Sequence, residues 1–190
     1  MSVLITGFEP FGGAERNPSW EAVQLLPASI AGHEMHRLQL PTVYGRAAEL
    51  LKAEIRRVQP EVVFCCGVAA GRSGVTPELV AINYRRASIA DNAGQHFTGQ
   101  PIVSGGETAY MTSLPVTAMV DQLQQQGIPA SLSLSAGAYV CNDVYYALLA
   151  SQAELGHKGL FIHVPGEDVC DAPTAARALT LCLTTALEYE

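Results

Sequence analysis

The segment Glu61-Val62-Val63-Phe64-Cys65-Cys66-Gly67-Val68 (residues 61–68) is an almost continuous apolar run. A run of this kind is typical of a central strand in a parallel sheet, because helices cover both faces of such a strand and neither face needs polar side chains. The segment therefore predicts a buried strand with other elements packed on each side of it.

Short apolar runs alternate with helical patterns on both sides of this segment. This alternation is typical of an α/β fold with a mostly parallel twisted sheet and helices on both faces, a three-layer α/β/α sandwich. A chain of 190 residues fits a single domain, 1–190. The further strands are predicted at 2–6, 34–40, 130–135 and 159–164, with a possible strand at 78–84. The helices are predicted at 18–26, 44–58, 115–126, 142–155 and 172–187.

The loops at the carboxyl ends of the strands are where we expect chemistry, because ligands of open α/β sheets bind there. These loops follow Thr6, Val68, Ser135 and Val164. The stretch 85–108 is predicted to be irregular, and loops of that length in compact domains are usually functional or flexible.

The composition argues against a nucleic-acid partner. The net charge is −7, and the basic residues form no cluster longer than the pairs Arg56-Arg57 and Arg85-Arg86, whereas nucleic-acid binding needs a basic face. Charged residues make up only 15% of the chain and apolar residues 48%. This balance favours a homo-oligomer that buries part of an apolar surface.

The N-terminus and the cysteines indicate a cytoplasmic protein. Residues 1–7 have no basic lead and no long apolar stretch, and no window approaches the roughly 18 apolar residues of a membrane helix, so no membrane association is expected. The five cysteines are odd in number, which argues for a reducing cytosol rather than a disulfide framework. None forms a C-x-x-C pair, so no metal site is expected.

Cys141 is the strongest candidate for a catalytic group. It follows the small-residue segment 135–138 and opens the predicted helix 142–155. Unpaired backbone N–H groups and the positive end of the helix dipole lie at such a position, and both stabilise a thiolate, the nucleophilic form of cysteine. The same N–H groups can bind the oxyanion of a tetrahedral intermediate. The alternative is that Cys141 is a small buried hydrophobic residue.

His163 and Glu78 are the candidates for activating this thiol. His163 ends the strand next in order, so it is expected at the same sheet edge, where it can form a Cys–His pair for acyl transfer. A histidine satisfied within the core is the alternative. Glu78 follows the glycine-bearing loop 71–77 and can hold the imidazole in the productive tautomer. A solvated loop carboxylate is the alternative for Glu78.

The loop after the first strand, residues 6–13, carries two aromatic residues, Phe8 and Phe11, between glycines. It matches neither G-x-G-x-x-G nor G-x-x-x-x-G-K-[ST], the motifs of phosphate-binding loops. The two aromatic side chains favour a shallow apolar pocket that suits a flat uncharged ring. Ordinary packing of the loop is the alternative.

Taken together in chain order, these segments resemble the pyroglutamyl peptidase I family, the pyrrolidone carboxyl peptidases. The resemblance extends from residue 1 to about residue 187 and is therefore far more specific than any single motif. It is carried by Thr6-Gly7-Phe8-Glu9-Pro10-Phe11-Gly12-Gly13, Asn17-Pro18-Ser19-Trp20-Glu21-Ala22, Gly71-Arg72, Thr76-Pro77-Glu78, Val80-Ala81-Ile82-Asn83, Ala136-Gly137, Val140-Cys141-Asn142 and Phe161-Ile162-His163-Val164-Pro165.

The resemblance implies an α/β sandwich and a cysteine peptidase of the exopeptidase type. Such an enzyme removes N-terminal pyroglutamate from peptides through a Glu–Cys–His triad and a thioester intermediate. The family uses no metal or cofactor, and homotetramers are common in it. By position, Phe8 and Phe11 would hold the lactam ring, with Val140 beside the thiol.

Several positions depart from the family pattern. Leu79 stands where an arginine usually follows the glutamate, Ser88 takes the place of an arginine near the catalytic centre, and Val68 replaces a glutamine common in bacterial members. Arg85 or Arg86 could substitute for the missing arginine. Two alternatives stay open: a cysteine amidohydrolase acting on another small cyclic or N-acyl amide, and a catalytically weak binding protein that retains the fold.

Overall fold

The computed structural model describes residues 2–189 and has an α/β architecture built on a six-stranded sheet. A second sheet has two strands. The strands of both sheets are, in chain order, β1 (Ser2–Phe8), β2 (Ser29–Ile30), β3 (His33–Leu40), β4 (Val62–Val68), β5 (Thr76–Pro77), β6 (Val80–Ile82), β7 (Ala109–Met111) and β8 (Lys158–Val164). Its helices are α1 (Pro18–Gln24), α2 (Arg46–Val58), α3 (Val116–Gln125), α4 (Val140–Ala150), α5 (Gln152–Leu155) and α6 (Ala172–Glu188).

The strand order in the main sheet is β2-β3-β1-β4-β8-β5. The four inner strands β3, β1, β4 and β8 are parallel, while the two-residue strands β2 and β5 pair antiparallel at the edges. The predicted mostly parallel sheet is confirmed. The strand predicted at 61–68 is β4, which has a parallel neighbour on each side.

Side chains along β4 alternate between two buried layers, which confirms the prediction of helices on both faces. Phe64 and Cys66 point into the layer formed with α1, α3 and α6, and Val63 and Cys65 point into the layer formed with α2 and α4. All four side chains are fully buried. Complete burial of a side chain such as Val63 or Phe64 contributes roughly 1.5–3 kcal/mol, so this strand stabilises both layers at once.

Helix α1 begins where the sequence predicts and packs on the end of β1. The Asn17 side chain accepts a hydrogen bond from the Ser19 N–H at 3.0 Å, and a proline occupies the first helical position. Ser19 Oγ accepts from the Phe8 N–H at 3.1 Å, and a Cβ on Gly7 would lie 2.7 Å from Trp20 Cα. This close contact fixes the loop that carries the predicted aromatic residues.

The prediction of a strand at 130–135 is wrong. The segment makes only two isolated bridges, at Ala130 and Ser133, to the chain around β5. Strand β5 has only two residues, and one of them is Pro77, which has no N–H to donate. A continuous ladder therefore cannot form, and the segment lies at the edge of the sheet without joining it as a strand.

Two further predictions differ in their bounds. The possible strand at 78–84 is shortened to β6, which pairs antiparallel with β7 in a separate two-stranded sheet. The helix predicted at 142–155 begins at Val140 and is divided at Ser151 into α4 and α5. The stretch 85–108 contains no helix or strand in the described part of the chain, as predicted.

Candidate active site

The structure brings Cys141 and His163 together at the carboxyl edge of the sheet. Gly67 of β4 pairs with His163 of β8, and Cys141 lies in the first turn of α4. A Cβ on Gly67 would lie 2.9 Å from Cys141 Sγ and 2.9 Å from Phe161 Cζ. The absence of a side chain at position 67 therefore lets the thiol rest against β4, on the strand next to His163.

Glu78 joins this group through its side chain. Nδ1 of His163 lies 2.7 Å from Oε1 of Glu78, and the two side chains are 5% and 0% exposed. An ionised carboxylate only accepts hydrogen bonds, so Nδ1 carries the proton and Nε2 is the nitrogen free to take up another. The three residues predicted as catalytic thus lie in one place.

Further contacts hold Glu78 in position. Its N–H donates to the Phe161 carbonyl at 2.9 Å, and its own carbonyl accepts from the Tyr145 hydroxyl at 2.7 Å. Arg72 Nη1 lies 2.6 Å from Glu78 Oε1, and Arg72 Nη2 donates to the Ser135 carbonyl at 3.0 Å. Arg72 was not among the predicted site residues. The sequence feature that could have identified Arg72 is the presence of a basic residue in the loop that leads to Glu78.

A cavity of about 320 Å³ adjoins these residues. The Phe11 ring centroid lies 6.0 Å from that of Tyr139, so the two rings form an aromatic wall. Val140 is fully buried at the start of α4 and is not among the lining residues. The lining includes Phe8, Phe11, Tyr139, Arg72, Cys141 and His163. The cavity therefore connects the aromatic loop with the thiol and the imidazole.

Burial sets the protonation states of the thiol and the imidazole. Burial, together with the negative charge of Glu78, raises the pKa of Cys141 to about 12. Burial also lowers the pKa of His163, although its hydrogen bond with Glu78 acts in the opposite direction. Both shifts favour a neutral thiol beside a neutral imidazole, whereas the helix start alone predicts a thiolate.

Glu78 carries a negative charge in spite of its burial. Burial on its own raises the pKa of a carboxyl group, but the hydrogen bonds with His163 and Ser133 and the charge of Arg72 outweigh this effect. The pKa of Glu78 is therefore below its usual value. A charged Glu78 stabilises the protonated form that His163 adopts during proton transfer.

The positions that depart from the family pattern lie in different surroundings. Val68 lines the cavity, so its apolar side chain faces any bound ligand. Ser88 is exposed and outside the cavity lining. Leu79 is partly buried and packs against the core layer of α1, α3 and α6.

Neither Arg85 nor Arg86 takes the place of the missing arginine. Arg85 pairs with Asp143, and its guanidinium carbon lies 5.7 Å from the centroid of the Tyr44 ring. Arg86 is exposed, and neither arginine lines the cavity. Within the described residues, Arg72 is the basic residue on the lining apart from His163.

The site offers the groups for covalent acyl transfer. A thiol and an imidazole line the same cavity, and a charged carboxylate orients that imidazole, the groups that nucleophilic catalysis requires. Among residues 2–189, no group of three or more His, Cys, Asp or Glu side chains is arranged to hold a metal ion. The five cysteines are free thiols.

Relatives of the chain carry a consistent description. A family model described as pyroglutamyl peptidase matches residues 1–188. The pyrrolidone-carboxylate peptidase of Enterococcus faecalis is 45% identical over 193 residues, which cover 100% of this chain and 91% of that protein. Pyrrolidone-carboxylate peptidase 1 of Streptococcus pneumoniae is 45% identical over 186 residues, which cover 96% of this chain and 86% of that protein.

Solved structures agree with the fold. Pyroglutamyl peptidase I of Bacillus amyloliquefaciens superposes with a TM-score of 0.94 at 37% identity, covering 99% of this chain and 97% of that chain. A mutant pyrrolidone carboxyl peptidase of Pyrococcus furiosus superposes with a TM-score of 0.92 at 35% identity, covering 99% of both chains. The similarity therefore extends over the whole architecture and is not confined to the site.

Proposed function

The chain belongs to the pyroglutamyl peptidase family. We propose that it is a cysteine exopeptidase that removes N-terminal pyroglutamate from peptides. The observation that carries the proposal is the position of Cys141 on the cavity, against Gly67 and beside the His163–Glu78 pair. The catalytic roles are nucleophile for Cys141, proton carrier for His163 and orienting carboxylate for Glu78.

Phe8 and Phe11 hold the pyroglutamyl ring in this proposal, and Val140 packs beside the thiol from within α4. The lactam ring is flat and uncharged, so aromatic walls stabilise it by apolar contact. An enzyme that accepts an unblocked N-terminus needs a carboxylate for the charged amine. No Asp or Glu lies on the lining among the described residues, while Arg72 does, and this charge pattern supports a blocked N-terminus.

The first chemical step forms a thioester. Nε2 of His163 takes the proton of the Cys141 thiol while the sulfur attacks the carbonyl carbon of the pyroglutamyl group. Proton removal during the attack avoids a free thiolate, which burial disfavours at this position. Backbone N–H groups at the start of α4 bind the oxyanion. His163 then protonates the leaving amine, and the peptide departs.

The second step restores the enzyme. A water molecule attacks the thioester carbonyl, and His163 Nε2 removes a proton from that water. The intermediate collapses, pyroglutamate leaves and the Cys141 thiol regains its proton. Glu78 stabilises the charged imidazole in both steps and keeps its ring oriented, which supports a role without direct contact with the substrate.

Hydrolysis of a fluorogenic pyroglutamyl amide tests the proposal. The wild type under reducing conditions is compared with Cys141→Ser, and unblocked aminoacyl amides are assayed in parallel. We expect cleavage of the pyroglutamyl amide alone and loss of activity in Cys141→Ser. A wild type that cleaves another small cyclic or N-acyl amide instead, or that binds pyroglutamyl peptides without turnover, contradicts the proposal and supports one of the two alternatives.

We also propose that the protein acts in the cytoplasm as a homotetramer, without a cofactor and without binding nucleic acid or membranes, and that residues 1–190 form one domain of this family. The net charge of −7 supports the absence of nucleic acid. Within residues 2–189, no helix is sufficiently long and apolar to span a bilayer. Exposed apolar side chains such as Met111 and Val103 support self-association. Light scattering tests the assembly: four times 20.2 kDa is expected, and a monomer contradicts it.

A further inference from the structure

Residues 131–135 form an exposed sheet edge, which we call the 131–135 edge. On its inner side, the N–H groups of Ser131 and Ser133 donate to backbone carbonyls of residues 75 and 77 at 3.1 and 3.0 Å. On its outer side, the N–H and C=O groups of Leu132 and Leu134 have no hydrogen-bond partner among residues 2–189. The edge thus presents free backbone groups at alternate residues, the pattern that an added strand pairs with.

The outer side of this edge is also apolar. Leu132 and Leu134 are 40% and 67% exposed. Ser133, which lies between them, is buried against the sheet. Exposed leucines beside free backbone groups give a binding strand both hydrogen bonds and apolar contacts.

The 131–135 edge leads directly into the cavity. Ser135 and Arg72 line the cavity and also the groove that follows the edge. Arg72 Nη2 donates to the Ser135 carbonyl at 3.0 Å and so fixes the point where edge and cavity join. The cavity and the 131–135 edge therefore meet at Ser135, the last residue of the edge.

The sheet order determines the direction in which a substrate extends. From the loop after β1, the carboxyl edge of the sheet passes β4, then β8 with His163, then β5 and then the 131–135 edge. A ring held by the loop after β1 places the leaving amine on the His163 side, because His163 protonates that amine. The rest of the peptide then points toward β5 and the 131–135 edge.

We propose that the 131–135 edge binds the part of the peptide substrate that follows the pyroglutamyl group, as an added antiparallel strand. The orientation is antiparallel because the edge runs toward the cavity while the substrate chain runs away from it. This inference rests on the proposed function. In an antiparallel pair, alternate substrate residues exchange both hydrogen bonds with Leu134 and Leu132, so extended peptides are preferred over short pyroglutamyl amides.

A series of substrates tests this proposal on the wild type. Pyroglutamyl-alanine amide is compared with pyroglutamyl peptides that carry two, three and four alanines. We expect kcat/KM to rise with length by roughly fivefold for each added hydrogen bond, taking a net gain of about 1 kcal/mol per bond. The rise should come from a lower KM. N-methylation of each alanine in turn is expected to lower kcat/KM at alternate positions, because only alternate N–H groups face the edge.

A matched pair of variants locates the effect. Leu134→Pro removes one outward N–H, and Leu134→Ala keeps that N–H while shortening the side chain. We expect Leu134→Pro to reduce the ratio of kcat/KM for the four-alanine peptide to that for a pyroglutamyl coumarin amide by about fivefold. Leu134→Ala should keep the alternating N-methyl pattern. The ratio is insensitive to partial misfolding, since both substrates report on the same folded molecules.

Three results would overturn the proposal. One is a kcat/KM that does not depend on substrate length, and another is an N-methyl effect without alternation. The third is a change of molecular mass in light scattering for Leu134→Pro, which would assign the edge to a second copy of the chain. If the wild type cleaves no pyroglutamyl substrate at all, the proposed function fails together with this inference. Cleavage without length dependence overturns the inference alone.

Discussion

At the residue scale, the site depends on a position that has no side chain. Gly67 lies on β4, whose backbone is paired with β1 on one side and β8 on the other. At Gly67 itself the strand is held by its pairing with His163 of β8, which limits its movement away from a clash. The space that the missing Cβ leaves is occupied by Cys141 Sγ and by the Phe161 ring.

Gly67→Ala should therefore damage catalysis more than stability. The new Cβ would lie 2.9 Å from Cys141 Sγ, so the thiol must move away from its place beside His163. A displacement of about 1 Å can cost on the order of 10²-fold in rate, and we expect a loss in kcat of that size. Gly71→Ala is the matched control, since a Cβ there has no atom within 4 Å. Equal kcat values for the two variants would contradict this account of Gly67.

Arg72 shows what sequence could not predict at this scale. Gly71-Arg72 is one of the segments that carry the family resemblance. The role of Arg72, however, depends on the conformation of its loop, which places Nη1 at 2.6 Å from Glu78 Oε1. No local pattern reports such a contact. Burial of the folded site raises the pKa of Cys141, in the direction opposite to the effect of the helix start from which the sequence predicts a thiolate.

Arg72→Met should shift the acid limb of the pH profile of kcat/KM, the range in which activity falls as the pH is lowered, to higher pH. The charge of Arg72 lowers the pKa of His163, in addition to the larger effect of burial. Removing that charge makes the protonated imidazole easier to form, so the acid limb should shift to higher pH. Arg72→Lys is the control, because it keeps the charge and should keep the limb near its wild-type position. The pH profile separates this effect from simple loss of structure, and an unmoved limb in Arg72→Met would refute it.

At the element scale, the sequence predicted the elements whose signals are local. The apolar run at 61–68 and the cap before α1 are properties of single segments, and both elements appear within a residue or two of their predicted bounds. The segment 130–135 has a strand pattern, but a strand also needs a partner, and β5 is too short and contains Pro77. The division at Ser151 of the helix predicted at 142–155 likewise depends on a contact, since the Ser151 hydroxyl donates to the Leu148 carbonyl at 3.0 Å.

Asn17→Ala should weaken both the fold and the site. It removes the cap of α1, which costs about 1 kcal/mol, equivalent to a Tm roughly 2–4 °C lower for a domain of this size. It also removes the hydrogen bond from Asn17 Nδ2 to the Glu9 carbonyl at 3.0 Å, which holds the aromatic loop, so KM should rise. Asp171→Ala removes the cap of α6, which is outside the cavity lining, and should lower Tm without raising KM. Both quantities are read from thermal melts and steady-state kinetics.

At the scale of the whole molecule, the buried Glu78–His163 pair links the site to the stability of the fold. The two helical layers exclude water from Glu78 and His163, and both residues have a lowered pKa. A lowered carboxyl pKa contributes stability above its unfolded value, which is lost as the pH falls through the folded pKa. A lowered histidine pKa reduces the free energy of unfolding in a higher pH range. Once the pH falls below about 6.5, the unfolded chain takes up the proton before the folded chain does, and this favours unfolding.

The free energy of unfolding should therefore fall as the pH is lowered from 7 to 4. Between pH 6.5 and the folded pKa of His163, the free energy of unfolding should change by up to about 1.4 kcal/mol per pH unit because of this histidine. Urea unfolding of the wild type and His163→Gln at several pH values measures it. The slope should decrease in His163→Gln, whereas the exposed-site variant His96→Gln serves as the control. An unchanged slope in His163→Gln would contradict the burial of a neutral imidazole.

The central claim is that Cys141 forms a thioester with the pyroglutamyl group. Rapid acid quenching during turnover of a pyroglutamyl peptide, followed by mass spectrometry of the digested protein, tests it most directly. The account predicts a fraction of the protein heavier by one pyroglutamyl group, with the addition on the fragment that contains Cys141, and no such species in Cys141→Ala. Continued cleavage of the peptide by Cys141→Ala, with no adduct on the wild type, would contradict the account.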